Sequence, residues 1–94
     1  MTWILIYTRK AEKQLRNLAK SNYSIYKKID FALKEMLVKQ DPFLGDTAKL
    51  SAKDQEYRLR IGNYRIVFIC EQSTGLDIIN IVKIEKKGDH TYKK

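Results

Sequence analysis

Arg58, Arg60 and Arg65 form the arrangement in this sequence best suited to chemistry. They lie in the stretch EYRLRIGNYRIVF, from Glu56 to Phe68, where two alternating runs (Tyr57–Ile61 and Tyr64–Phe68) flank Gly62-Asn63. Two residues tolerant of positive φ between alternating runs predict a tight β-hairpin with a primed turn. A two-residue loop places Ile61 opposite Tyr64, Arg60 opposite Arg65, Leu59 opposite Ile66 and Arg58 opposite Val67. Period-two alternation then puts Arg58, Arg60 and Arg65 on one face of the sheet. Tyr57, Leu59, Ile61, Tyr64, Ile66 and Phe68 share the other. Like charges side by side destabilise a strand pair, so the cluster points to an anionic ligand. The alternative is a solvated face neutralised by carboxylates from elsewhere in the chain. Arginines hold phosphate bidentately and stabilise charge that develops in phosphoryl transfer.

The C-terminal stretch EKKGDHTYKK brings Lys86, Lys87, Asp89, His90 and Tyr92. It follows the last predicted strand directly and can fold back towards the arginine face. A tyrosine beside guanidinium groups can donate or accept a proton, its pKa drawn down by the positive charge. The competing reading of Tyr92 is a tail residue that caps the sheet edge, and His90 is either an acid–base group or a surface histidine. Tyr92, with Tyr57 or Tyr64, offers stacking surfaces for unstacked RNA bases. Tyr57 and Tyr64, however, lie on the apolar face and read as core. Cys70, in an apolar strand, reads as a small buried hydrophobe rather than a nucleophile. One His and one Cys, without clustered carboxylates at ligand spacing, make no zinc or calcium site, and no cofactor is expected. The sequence has neither a glycine-rich phosphate loop nor a G-x-S-x-G elbow.

A chain of 94 residues, 44% hydrophobic, is expected to make one domain, residues 1–94, with one modest core. The single cysteine excludes an internal disulfide and fits a reducing cytosol. No apolar run approaches the roughly 20 residues of a membrane span, and MTWILIYTRK lacks the features of a signal peptide. A soluble, cytoplasmic protein with no membrane partner is therefore expected. The 19 Lys and Arg against 11 Asp and Glu give a net charge of +8. So basic a small domain favours polyanions such as nucleic acid, or an acidic protein partner.

The elements that must position these groups follow in order. Trp3–Tyr7 reads as a first strand, its continuous apolarity suggesting burial on both faces. Thr8 is a helix N-cap. From Arg9 to Lys20, Ala11, Leu15, Leu18 and Ala19 make one helical stripe. Ser21-Asn22 breaks the pattern and offers a second cap. From about Tyr23 to Lys39, Ile25, Ile29, Ala32, Leu33, Met36 and Leu37 make a stronger stripe, ended by Asp41-Pro42. The short connection implies an antiparallel helical hairpin. Pro42 to Gln55 reads as a loop anchored by Phe43, Leu44 and Leu50. After the central hairpin, Gln72–Gly75 turns the chain into a last strand, Leu76–Ile84. The order βααβββ predicts an α+β domain: an antiparallel sheet of about four strands with the helical hairpin packed on one face. The second strand should run antiparallel to the first, and the arginine face should be left open.

YRLRIGNYRIVF, followed by a strand and KIEKKGDHTYKK, resembles the RelE/ParE superfamily of toxins from toxin–antitoxin systems. The leading strand and two helices, and the Asp41-Pro42 loop ending in Lys49-Leu50, fit as well, so the likeness spans essentially the whole chain. The RelE branch implies metal-independent cleavage of mRNA in the ribosomal A site, the ribose 2′-hydroxyl attacking the adjacent phosphate. The resemblance carries RNA binding to Arg58, Arg60 and Lys49, and transition-state stabilisation to Arg65. The late basic residue carries to Lys86 or Lys87 and the C-terminal tyrosine to Tyr92, while His90 has no firm counterpart. Many members have arginine where this chain has Lys86-Lys87, and lysine does not reproduce a bidentate guanidinium contact. The implied partners are a cognate antitoxin, mRNA and the ribosome, with the toxin a monomer when alone and a hetero-oligomer with its antitoxin. The ParE branch shares the fold without this catalytic set and poisons DNA gyrase. A third reading is an inactive basic nucleic-acid-binding module.

Overall fold

The computed structural model describes residues 2–51, 55–73 and 75–86. Its elements are β1 (Trp3–Tyr7), α1 (Arg9–Ser21), α2 (Tyr23–Val38), β2 (Thr47–Ser51), β3 (Glu56–Ile61), β4 (Tyr64–Ser73) and β5 (Leu76–Lys86). Both helices start where short polar side chains satisfy free N–H groups. Thr8 Oγ1 accepts from Ala11 N at 3.1 Å, and Asn22 Oδ1 accepts from Ile25 N at 3.3 Å. No described helix is long and apolar enough to cross a membrane.

The helical stripes meet the apolar face of the hairpin as the alternation requires. Ala11, Leu18, Ile29, Leu33 and Met36 from the helices are buried together with Leu59, Ile66, Phe68, Ile79, Ile81 and Ile84 from the strands. Tyr57, Ile61 and Tyr64 pack against this core. The β3–β4 register matches expectation throughout: Ile61 faces Tyr64, Arg60 faces Arg65, Leu59 faces Ile66 and Arg58 faces Val67. Gly62 alone in the turn takes positive φ, at +58°, the pattern of a type II′ turn.

The α+β class stands, with the sheet different in three respects. It has five strands, because Thr47–Ser51, expected within a loop, pairs with β3 as a short edge strand. The sheet is mixed, in the order β1-β5-β4-β3-β2, with β1 parallel to β5. The helical hairpin does reverse the chain, so β2 runs antiparallel to β1. This extra strand then reverses the next, leaving β3 in the same direction as β1. Finally, β1 is covered on one side only, where Trp3 and Leu5 are half-buried. Ile4 and Ile6 are exposed, because this edge strand carries helices on a single face. In the expected anchor loop Phe43 and Leu50 are both exposed, although the Phe43 ring lies 4.8 Å from that of Tyr57.

Candidate anion-binding face

On the sheet face away from the helices, two rows of side chains run across β3, β4 and β5. One is Arg60–Arg65–Glu85; the other is Arg58–Val67–Lys83. The three arginines therefore share one face, as their spacing requires. Their mutual repulsion is relieved by two carboxylates. Asp46, just before β2, forks between Arg58 Nη1 (3.3 Å from Oδ1) and Arg60 Nε (3.2 Å from Oδ2). Its backbone carbonyl also accepts from Arg58 Nη1 at 2.8 Å and from Arg60 N at 3.0 Å. Glu85 receives Lys83 Nζ at 2.9 Å and, more weakly, Arg65 Nη1 at 4.0 Å.

Carboxylates from elsewhere thus neutralise part of the cluster; among the described residues, four cations against two carboxylates leave a net +2. The Arg58 hydrogen bond, reinforced by Arg60, holds the Asp46 carboxyl below its ordinary range. Arg58 is the anchored member, its side chain only 15% exposed; Arg60 and Arg65, at 41% and 38%, present their guanidinium groups to solvent. Ion pairs this exposed are screened by water and weak, so an incoming phosphate meets little resistance in competing for Arg60 and Arg65.

Lys49 and Lys86 are not brought to this face. Lys49 pairs with Tyr57 across β2–β3, and its Nζ stands 6.0 Å from the Tyr57 ring centroid, on the helix side. Lys86 faces Tyr64, which puts it on the helix side of the last strand pair. Lys87, His90 and Tyr92 lie outside the described residues. In place of Lys49 and Lys86 the fold supplies Lys83, which simple alternation along β5 would bury with Ile79 and Ile81. The visible signal is the break in period at Val82-Lys83-Ile84, where a lysine occupies an inward slot and an isoleucine the next.

Cys70 is buried, and burial pushes its thiol up to about 11, which fits an inert hydrophobe. It lines an open cleft of about 710 Å³ with Trp3, Phe43 and Tyr57, at the end of the sheet far from the Gly62-Asn63 turn. That cleft contains none of the arginines, and the chemistry points to the arginine face instead.

Residues 5–89 match the family model described as "ParE toxin of type II toxin-antitoxin system, parDE". The chain belongs to this toxin family. No individually curated protein matches the sequence significantly. Among solved structures, the toxin resembles the YoeB/ParE toxin from Agrobacterium tumefaciens with a TM-score of 0.73 at 16% identity, covering 94% of this chain and 100% of that one. The toxin of the archaeal RelE–RelB complex from Pyrococcus horikoshii aligns with a TM-score of 0.67 at 24% identity over 95% and 99% of the two chains. The RelB–RelE antitoxin–toxin complex from Methanococcus jannaschii gives 0.66 at 21%, over 86% and 88%. These likenesses establish the fold of the toxin.

Proposed function

We propose that this toxin is a ribosome-dependent endoribonuclease that cuts mRNA in the cytoplasm and so stops translation. The observation that carries the reading is the net-positive sheet face where Arg58, Arg60, Arg65 and Lys83 converge with no described helix over them. In the proposed reaction the ribose 2′-hydroxyl attacks the adjacent phosphorus and gives up its proton. The bond to the 5′-oxygen breaks and that oxygen takes a proton, leaving a 2′,3′-cyclic phosphate and a free 5′-hydroxyl. Arg65, exposed and only loosely tied to Glu85, stabilises the added negative charge at phosphorus. Arg58 and Arg60 hold the RNA backbone and electrostatically favour loss of the hydroxyl proton. Proton transfer is assigned to Tyr92, with Lys87 and His90 as further acid–base groups. Lys49 and Lys86, turned to the helix side, take no part in the chemical step.

A cognate antitoxin would restrain the activity. The RelB–RelE complexes pair a toxin of this fold with an antitoxin, and a chain of net charge +8 suits an acidic antitoxin segment. The second reading, a gyrase inhibitor without nuclease chemistry, is favoured by the ParE family match and by the carboxylates that already pair the arginines. Induced expression of the parent and of Arg65→Ala at matched protein levels tests the assignment. The nuclease reading expects growth arrest by the parent and relief of it by the variant. Equal arrest by both removes Arg65 from the chemistry, and DNA damage with translation initially intact supports the gyrase reading.

A further inference from the structure

On β5, Asp77, Ile79 and Ile81 point towards the helices, with exposures of 5%, 0% and 0%. Strict alternation would send Lys83 after them. It does not go there, because the β4–β5 register shifts: Phe68 pairs with Ile81 and Val67 with Lys83, leaving Val82 unpaired as a bulge. The bulge reverses the parity of the strand, so Ile84 enters the core and Lys83 emerges beside the arginines. Two side chains from outside the strand secure this break. Thr8 Oγ1 donates to the Val82 carbonyl at 2.6 Å, and Ile84 N donates to Gln14 Oε1 at 2.7 Å. Backbone groups that a bulge frees are thereby satisfied.

The lysine so displayed sits two residues from Glu85 on the same face, and the Glu85 carboxylate lies between Lys83 Nζ and Arg65 Nη1. A carboxylate held between an ammonium and a guanidinium marks a position that a phosphodiester oxygen pair would occupy with the same donors.

We propose that Lys83, aimed by the Val82 bulge, is a fourth phosphate-binding cation of this face, and that Glu85 is the internal anion an RNA phosphate displaces from Lys83 and Arg65. The inference rests on the nucleic-acid reading of the face and adds to it a specific residue and a built-in competitor. Glu85 sets a threshold on binding: weak anions leave it in place, whereas a polyanion that also engages Arg58 and Arg60 removes it.

The test is fluorescence anisotropy of a labelled single-stranded RNA titrated with the purified full chain at several salt concentrations. Lys10→Ala, an exposed position on α1, controls for the loss of one positive charge. Lys83→Ala should bind about fivefold more weakly than Lys10→Ala, with a salt slope lower by about 0.7 for one lost phosphate contact on a single strand. Lys83→Arg should keep the parent affinity, which separates lost charge from a folding defect. Glu85→Gln should bind more tightly than the parent. If Arg65→Ala weakens binding while Lys83→Ala matches the Lys10 control, this inference fails and the reading of the face survives. If Arg65→Ala also matches the control, the reading of the face fails first. A Glu85→Gln affinity equal to the parent's refutes the competitor role.

Discussion

Thr8→Val is the most searching test of how the chain is assembled, because one hydroxyl serves two elements. It caps α1 by accepting from Ala11 N at 3.1 Å and holds the β5 bulge by donating to the Val82 carbonyl at 2.6 Å. Valine keeps the shape and the β-branching and removes only the oxygen's functions. Loss of an N-cap costs about 1 kcal/mol. Stranding a part-buried carbonyl costs about another 1 kcal/mol. The two losses are physically separate, so destabilisation of about 2 kcal/mol is expected, or a melting temperature lower by roughly 8–16 °C for a domain of this size. Urea unfolding followed by far-ultraviolet circular dichroism measures it: the midpoint should fall while the slope m stays constant. Thr8→Ser retains the hydroxyl and should lose well under half as much. A Thr8→Val variant within about 0.5 kcal/mol of the parent, the range of an ordinary surface change, refutes the double role. So does a serine variant as damaged as the valine one.

Three further outcomes follow from the structure. Phe68→Ala, at a fully buried position beneath the Tyr57 ring, should destabilise by about 3–5 kcal/mol in the same unfolding assay. Cys70 should react with a thiol-specific disulfide reagent at pH 8 only after denaturation, since burial raises its pKa to about 11 and leaves little thiolate. Asp46 has its folded-state pKa lowered, chiefly by Arg58, so its contribution is present above the ordinary carboxylate pKa and is lost as pH falls through the lower folded value. Unfolding titrations between neutral and strongly acidic pH should therefore show a shallower acid loss for Asp46→Asn than for the parent.

Local features were readable from the sequence, and features set by distant pairing were not. The hairpin register from Tyr57 to Phe68 followed from alternation and Gly62-Asn63, because a two-residue turn leaves no freedom in which residues face each other. The caps at Thr8 and Asn22 were legible because capping is a property of three neighbouring residues. By contrast, Thr47–Ser51 carries little strand signal: it is short, has no run of β-branched or aromatic residues, and pairs with β3 alone at the edge of the sheet. The parallel pairing of β1 with β5 joins segments some 74 positions apart in the chain, with no local signature. The candidate site divides along the same line. Arg58, Arg60 and Arg65 share a face as the hairpin dictates. The directions of Lys49 and Lys86 depend on strand registers that the sequence left open. Lys83 was hidden by the Val82 bulge, and Asp46 and Glu85 were recognisable as partners only once the loop and β5 were placed.

The central claim, that this toxin cuts mRNA on the ribosome with Arg65 in the reaction, is tested most directly by mapping the 5′ ends of a defined message during translation in a reconstituted system. The expected result is new ends within translated codons, formed only when ribosomes are present, carrying 5′-hydroxyl groups, and absent with Arg65→Ala. Message that stays intact under active parent toxin, or is cut equally by the Arg65 variant, contradicts the account.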